Sequence, residues 1–225
     1  MSYRREWIIS LQAKLDQHLA EFEQSAPPEI VEAIRKGIRA AVDSGYEERA
    51  LKVGDKAPVF QLPDSAGTMV SSTELLAQGP LVVTFYRGAW CPFCNMELQS
   101  LQDFAGELAD RGVNIVAVSP QNSTNSRSSA RKNGVSFPIL VDEDCAVADA
   151  FGLLYMPPDY VQEIYLANGI DLEKINAAAN WKLPMPGRYL IDTDGTIRYA
   201  EVNPDYTRRP EAEELRGPIT QCKAE

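Results

Sequence analysis

Apolar residues recur at helical spacing through the first fifty positions. Trp7, Ile8, Leu11, Leu15, Leu19 and Phe22 form one stripe, and Ile30, Val31, Ile34, Ile38 and Val42 a second. Ser25-Ala-Pro-Pro28 separates them; Pro28 suits a first helical turn and Ser44-Gly45 a helix end. Two amphipathic helices alone bury little, so the pattern predicts a hairpin that docks on the rest of the chain or on a second subunit.

From Leu51 onward the period changes. Val59 to Leu62, a turn at Asp64 to Gly67, and Thr68 to Ser71 read as two short strands. Leu81 to Tyr86 is a continuous β-branched and aromatic run, the pattern of a strand covered on both faces. Met96, Leu98, Leu101, Phe104 and Leu108 mark a helix closing at Arg111-Gly112, and Val113 to Val118 a second buried strand. A loop and short helix over Ser119 to Ser129, a strand at Phe137 to Val141 and a helix over Asp144 to Phe151 follow. Met156 to Trp181 shows no alternation and reads as an insertion. Tyr189 to Asp192 and Thr196 to Val202 then form a β-hairpin about Thr193-Asp-Gly195, and Glu211 to Leu215 a weak last helix. The alternation predicts an α/β fold: a central mixed sheet, parallel in the middle and antiparallel at one edge, flanked by helices. Two units are expected, a helical extension over residues 1–50 and a main domain over 51–225.

Composition narrows the function. The chain has 225 residues, 44% of them hydrophobic, enough for a substantial core. Its formal charge of −10 argues against non-specific binding to nucleic acid or to an anionic membrane. The run from Pro80 to Tyr86 is far too short to span a bilayer, and the start lacks the apolar run of a signal peptide, so a cytoplasmic location is expected. No GxGxxG or other phosphate-binding glycine loop is present.

The chemistry lies in the cysteines: Cys91, Cys94, Cys145 and Cys222. Cys91-Pro-Phe-Cys94 stands where a buried strand has ended and a helix begins. At a helix N-terminus a thiolate meets unpaired N–H groups and the positive end of the dipole, and Arg87 adds charge. Cys91 is therefore expected to ionise and attack, with Cys94 one turn on and within reach of a disulfide. Zinc would need two further ligands at ligand spacing, and His18 and the other cysteines do not supply it, so neither metal nor organic cofactor is expected. His18 falls on a helix surface, Cys145 reads as an inert half-buried thiol, and Cys222 lies in a polar tail as a more distant alternative to Cys94. Trp90 either shields the sulfur or fills the core.

Trp90-Cys-Pro-Phe-Cys94 between strand and helix resembles the thioredoxin superfamily. Val53-Gly-Asp-Lys-Ala-Pro58, Phe85 to Cys94, Phe137 to Asp142 and Tyr189 to Gly195 together resemble the peroxiredoxin-like branch of the AhpC/TSA (alkyl hydroperoxide reductase/thiol-specific antioxidant) family, over roughly Leu51 to Arg209. The resemblance implies a thioredoxin-like fold and hydroperoxide reduction by Cys91, with recycling by a thioredoxin or glutathione-type reductant. It also makes a homodimer an expectation. Where the family carries a proline and a hydroxyl residue ahead of its reactive cysteine, this chain has Thr84 and Gly88. Its second active-site arginine has no clean match; Arg188 is the candidate stand-in, beside Arg87, and both could instead be structural. Pro186 falls where thioredoxin-like proteins place a cis-proline facing the cysteines. Thiol peroxidase is the leading expectation. A thiol-disulfide oxidoreductase using the same pair comes second, and a non-catalytic interaction protein third.

Overall fold

The computed structural model describes residues 9–222, so Trp7 and Ile8 of the first stripe lie outside the described residues. The two stripes form helices α1 (Leu11–Ser25) and α2 (Pro28–Asp43). Ser10 caps α1 by accepting the Ala13 N–H, and Pro28 opens α2, where a missing N–H costs nothing. Then come β1 (Gln61–Pro63), β2 (Met69–Ser71), α3 (Ser72–Leu76), β3 (Leu81–Phe85), α4 (Pro92–Asp110), β4 (Asn114–Ser119), α5 (Ser123–Asn133), β5 (Ile139–Val141) and α6 (Ala146–Ala150). The chain continues through β6 (Leu154–Tyr155), α7 (Asp159–Ala167), α8 (Leu172–Ile175), β7 (Leu183–Pro184), β8 (Gly187–Ile191), β9 (Ile197–Val202) and α9 (Arg216–Ile219).

Five strands build the central sheet in the order β5-β4-β3-β8-β9. β3, β4 and β5 run parallel, while β8 is antiparallel to β3 and to β9. Strand alternation sorts the core onto two faces. Val82, Ile115, Ala117, Ile139 and Leu190 meet Leu98, Leu101, Phe104 and Leu108 of α4 on one face. Val83, Phe85, Val116, Val118 and Tyr189 pack on the other face against Phe60, Phe151 and Leu153. The mixed sheet flanked by helices is the architecture the strand pattern predicts.

The hairpin docks on its own chain. Leu11 and Leu15 join the α4 face of the core, so the apolar stripe of α1 is covered without a second subunit. α2 meets α7, where Gly37 permits the contact: a Cβ there would lie 2.8 Å from Val161 Cγ2. The start of α1 is tied to a distant segment, because the Leu11 and Gln12 N–H groups donate to the Glu211 carboxylate at 3.0 and 3.2 Å. Gln12 also donates to the Thr207 carbonyl and accepts the Arg209 N–H.

Two findings depart from the sequence reading. The stretch read as an insertion contains α7 and α8. Pro157-Pro158 fixes the entry to α7, and Val161 and Tyr165, one turn apart, bury its inner face; this is a helical spacing too short to stand out. The Met185–Pro186 peptide is trans, as is every peptide among the described residues, correcting the expected cis bond. Met185 donates its N–H to the Leu153 carbonyl at 2.7 Å as β7 leads directly into β8. No helix among the described residues is long and apolar enough to cross a membrane.

Candidate active site

β3 is the central strand of the sheet, with a parallel neighbour on one side and an antiparallel one on the other. The crevice beyond the carboxyl end of such a strand is where open α/β sheets gather chemistry. The turn after β3 is pinned at one residue from both sides: Ala89 N–H donates to Gln121 Oε1 at 3.0 Å, and Asn95 Nδ2 donates to the Ala89 carbonyl at 2.9 Å. Gln121 is fixed in turn by donating to the Tyr86 hydroxyl at 2.6 Å. Cys91 then becomes the N-cap of α4, its sulfur accepting the Cys94 N–H at 3.4 Å, with Pro92 in the first turn.

The Cys91 and Cys94 sulfurs stand 2.7 Å apart, both buried, close enough to share one proton. Burial, and then the adjacent Cys94 sulfur, push Cys91 well above the ordinary thiol range. At Cys94 burial is outweighed by the hydrogen bond from Cys91 and by Arg209 and Arg87, and its pKa falls to about 6. The pair therefore holds one proton and one negative charge, with the charge favouring the inner sulfur.

Arg87 is buried and locked. Its Nη2 donates to the Tyr165 hydroxyl, and its guanidinium lies 3.9 Å from the Tyr206 ring centre and 4.6 Å from that of Trp90. Arg188 does not reach either sulfur. It pairs with Glu97 of α4 at 2.9 Å and donates to the Glu211 carbonyl at 3.0 Å. The second arginine at the thiols is Arg209, which sequence reasoning missed. Its Nη2 lies 3.5 Å from Cys94 Sγ and its Nε 2.6 Å from Glu97 Oε2. Glu97 thus joins Arg188 to Arg209, and Arg188 acts on the site only through it.

Cys91 lines an apolar cavity of about 150 Å³, together with Arg87, Trp90, Phe93 and Tyr165. Trp90 is half-buried and packs at a tilt against Tyr165, ring centres 5.2 Å apart, so it serves as wall and packing at once. Pro186 does not line this cavity; it borders a separate crevice with Arg87 and Tyr206. His18, read as a surface residue remote from the site, does line it, edge-on to Phe93 at 5.4 Å. Cys145 lies in the core on the opposite face of the sheet, its thiol pushed up by burial and then by Asp142. Cys222 touches the Pro218 carbonyl and is raised to about 11, chiefly by burial.

Gly88 explains the absent hydroxyl residue. Its φ is +145°, and a Cβ there would come within 2.6 Å of Trp90 Nε1. Gly88→Thr, which restores the family residue, is therefore expected to cost about 1–3 kcal/mol of stability. It should also slow Cys91 oxidation rather than speed it. Urea melts and stopped-flow rates check both, and a faster, equally stable variant would refute the steric account.

A thiol pair at the head of a helix, just beyond a central strand, defines a thioredoxin-fold redox protein. The chain belongs to the AhpC/TSA family, whose profile matches residues 53–200. It is 37% identical over 150 residues to peroxiredoxin Bcp of Escherichia coli K12, covering 66% of this chain and 84% of that protein. It is 31% identical over 114 residues to the thiol-disulfide oxidoreductase ResA of Halalkalibacterium halodurans, covering 50% of this chain and 64% of that one. The crystal structure of peroxidoxin BcpB from Mycobacterium tuberculosis superposes with a TM-score of 0.60 at 22% identity, over 77% of this chain and 99% of that one, and supports the fold.

Proposed function

We propose that this member of the AhpC/TSA family is a thiol peroxidase that reduces hydroperoxides through Cys91 and resolves the product with Cys94. The observation that carries the reading is the sulfur pair itself: two sulfurs 2.7 Å apart, only one of which lines the cavity. A proton crossing that short gap moves the negative charge from Cys94 to Cys91. The Cys91 thiolate then attacks the terminal oxygen of the hydroperoxide. An S–O bond forms, the O–O bond breaks, and the departing alkoxide takes the proton now on Cys94 and leaves as an alcohol. Arg87, fixed by three aromatic rings in a dry site, stabilises charge developing on the oxygens. Burial keeps Tyr165 protonated against the opposing pull of Arg87, so its phenol remains a donor at the cavity wall.

The Cys94 thiolate left behind attacks the Cys91 sulfenic acid, forming the disulfide and expelling hydroxide, which leaves as water after taking up a proton. In sum two thiols and a hydroperoxide give a disulfide, an alcohol and water. An external reductant of thioredoxin or glutathione type, in a reducing cytoplasmic setting, returns the pair to thiols.

The roofed position of Cys91 favours a small peroxide over the protein disulfide that an oxidoreductase of the same motif would attack. One equivalent of hydroperoxide under anaerobic conditions, followed by peptide mapping, tests the proposal. The expected product has lost two hydrogens and links Cys91 to Cys94. A Cys91–Cys222 link, or no oxidation, overturns it.

A further inference from the structure

We propose that the α1–α2 hairpin makes the enzyme selective for hydroperoxides bearing an apolar group of several carbons over hydrogen peroxide, an inference that rests on the peroxidase reading. The hairpin lies outside the matched span of 53–200, yet it supplies His18, Leu19, Phe22 and Ile34 to the cavity that ends at Cys91. Leu19 and Phe22 continue the stripe of Leu11 and Leu15, so the packing that docks α1 also aims these two side chains over the thiol.

The hairpin's part of the lining, the cavity's roof, is mostly carbon, from Leu19, Phe22 and Ile34, with the His18 imidazole as its polar group, while the rest of the chain contributes the reacting sulfur and the Arg87 guanidinium. The cavity's volume of about 150 Å³ equals that of about five waters at roughly 30 Å³ each. Hydrogen peroxide uses a small part of that space and leaves the carbon of Leu19, Phe22 and Ile34 without a partner. An alkyl or aryl hydroperoxide places its oxygens against Cys91 and Arg87 and its carbon against the roof, and each seated methylene is worth about fourfold in the reaction rate. The cavity is too small for a polypeptide segment, so a small molecule is the occupant the volume favours.

The test is a series: pre-steady-state oxidation of the reduced full chain by hydrogen peroxide and by ethyl, butyl and hexyl hydroperoxides. The expected rate constant climbs about fourfold per methylene until the cavity is full. Phe22→Ala, which opens the roof, and Ile34→Trp, which fills it, should each lower the hexyl-to-hydrogen-peroxide ratio about tenfold or more. If Phe22→Ala does not fold, Ile34→Trp and the wild-type series decide. A flat series in the wild type, or an unchanged ratio in the folded variants, overturns the selectivity and leaves the peroxidase standing. No oxidation by any member, hydrogen peroxide included, overturns the peroxidase reading itself.

Discussion

Glu97→Ala is expected to destabilise the protein by about 3–5 kcal/mol, because it strands buried arginines without their counter-charge. Arg188 and Arg209 both pair with this one carboxylate, at 2.9 and 2.6 Å, and all three side chains are at most 3% exposed. At this chain length the loss corresponds to a melting temperature lower by about 10 °C. An internal control lies on the same helix. Glu107 also bridges two arginines, Arg111 and Arg216, but its side chain is 32% exposed and both partners are more so, and water screens the pairs. Glu107→Ala should change stability little. Thermal and urea melts of the two variants, run side by side, make the comparison. Equal losses would show that burial of the Glu97 network does not set its weight.

Cys91→Ser is expected to abolish peroxide consumption, whereas Cys94→Ser, which loses the charge that Cys94 passes to Cys91, should complete one slower attack and stop. The distinction follows from placement. Cys91 lines the cavity, while Cys94 lies behind it at 0% exposure with Arg209 against its sulfur. The Cys94→Ser protein should therefore hold a sulfenic acid on Cys91, detectable by a nucleophilic carbon reagent and mass spectrometry. In the wild type the reacting form is the singly charged pair. Its population is full above the first ionisation, at about 6, and is lost as the pH falls through that value. The oxidation rate should follow the same curve. A midpoint near the free-cysteine value of about 8.5 would overturn this assignment, as would consumption surviving Cys91→Ser.

The sequence was most legible where burial was complete. Leu81 to Phe85 is apolar throughout because both faces of β3 are covered, and such a strand can be read without knowing its partners. The position of Cys91 at the head of α4 followed from the strand end, the turn and Pro92. What stayed hidden depended on distance. Arg209 sits in an irregular segment with no period to betray its direction, and only the folded chain brings it to Cys94. Tyr165 had a weak local signal in its spacing from Val161 behind two prolines. Arg188 was left open between a stand-in at the thiols and a structural residue: its place on β8 opposite Thr84 fixes it in the sheet, but its partner Glu97 lies on α4, far away in sequence. Helix position and Arg87 were legible as groups that favour a thiolate, while burial of both sulfurs and the nearness of Arg209 belong to the folded chain.

The cap that Glu211 places on α1 joins positions 200 residues apart, and the same short segment delivers Arg209 to the sulfurs. A chain emerging from the ribosome exposes Cys91 and Cys94 long before either the cap or that arginine exists. Contacts of such wide separation close late in folding. Arg209 therefore reaches Cys94 only once these two distant segments have met.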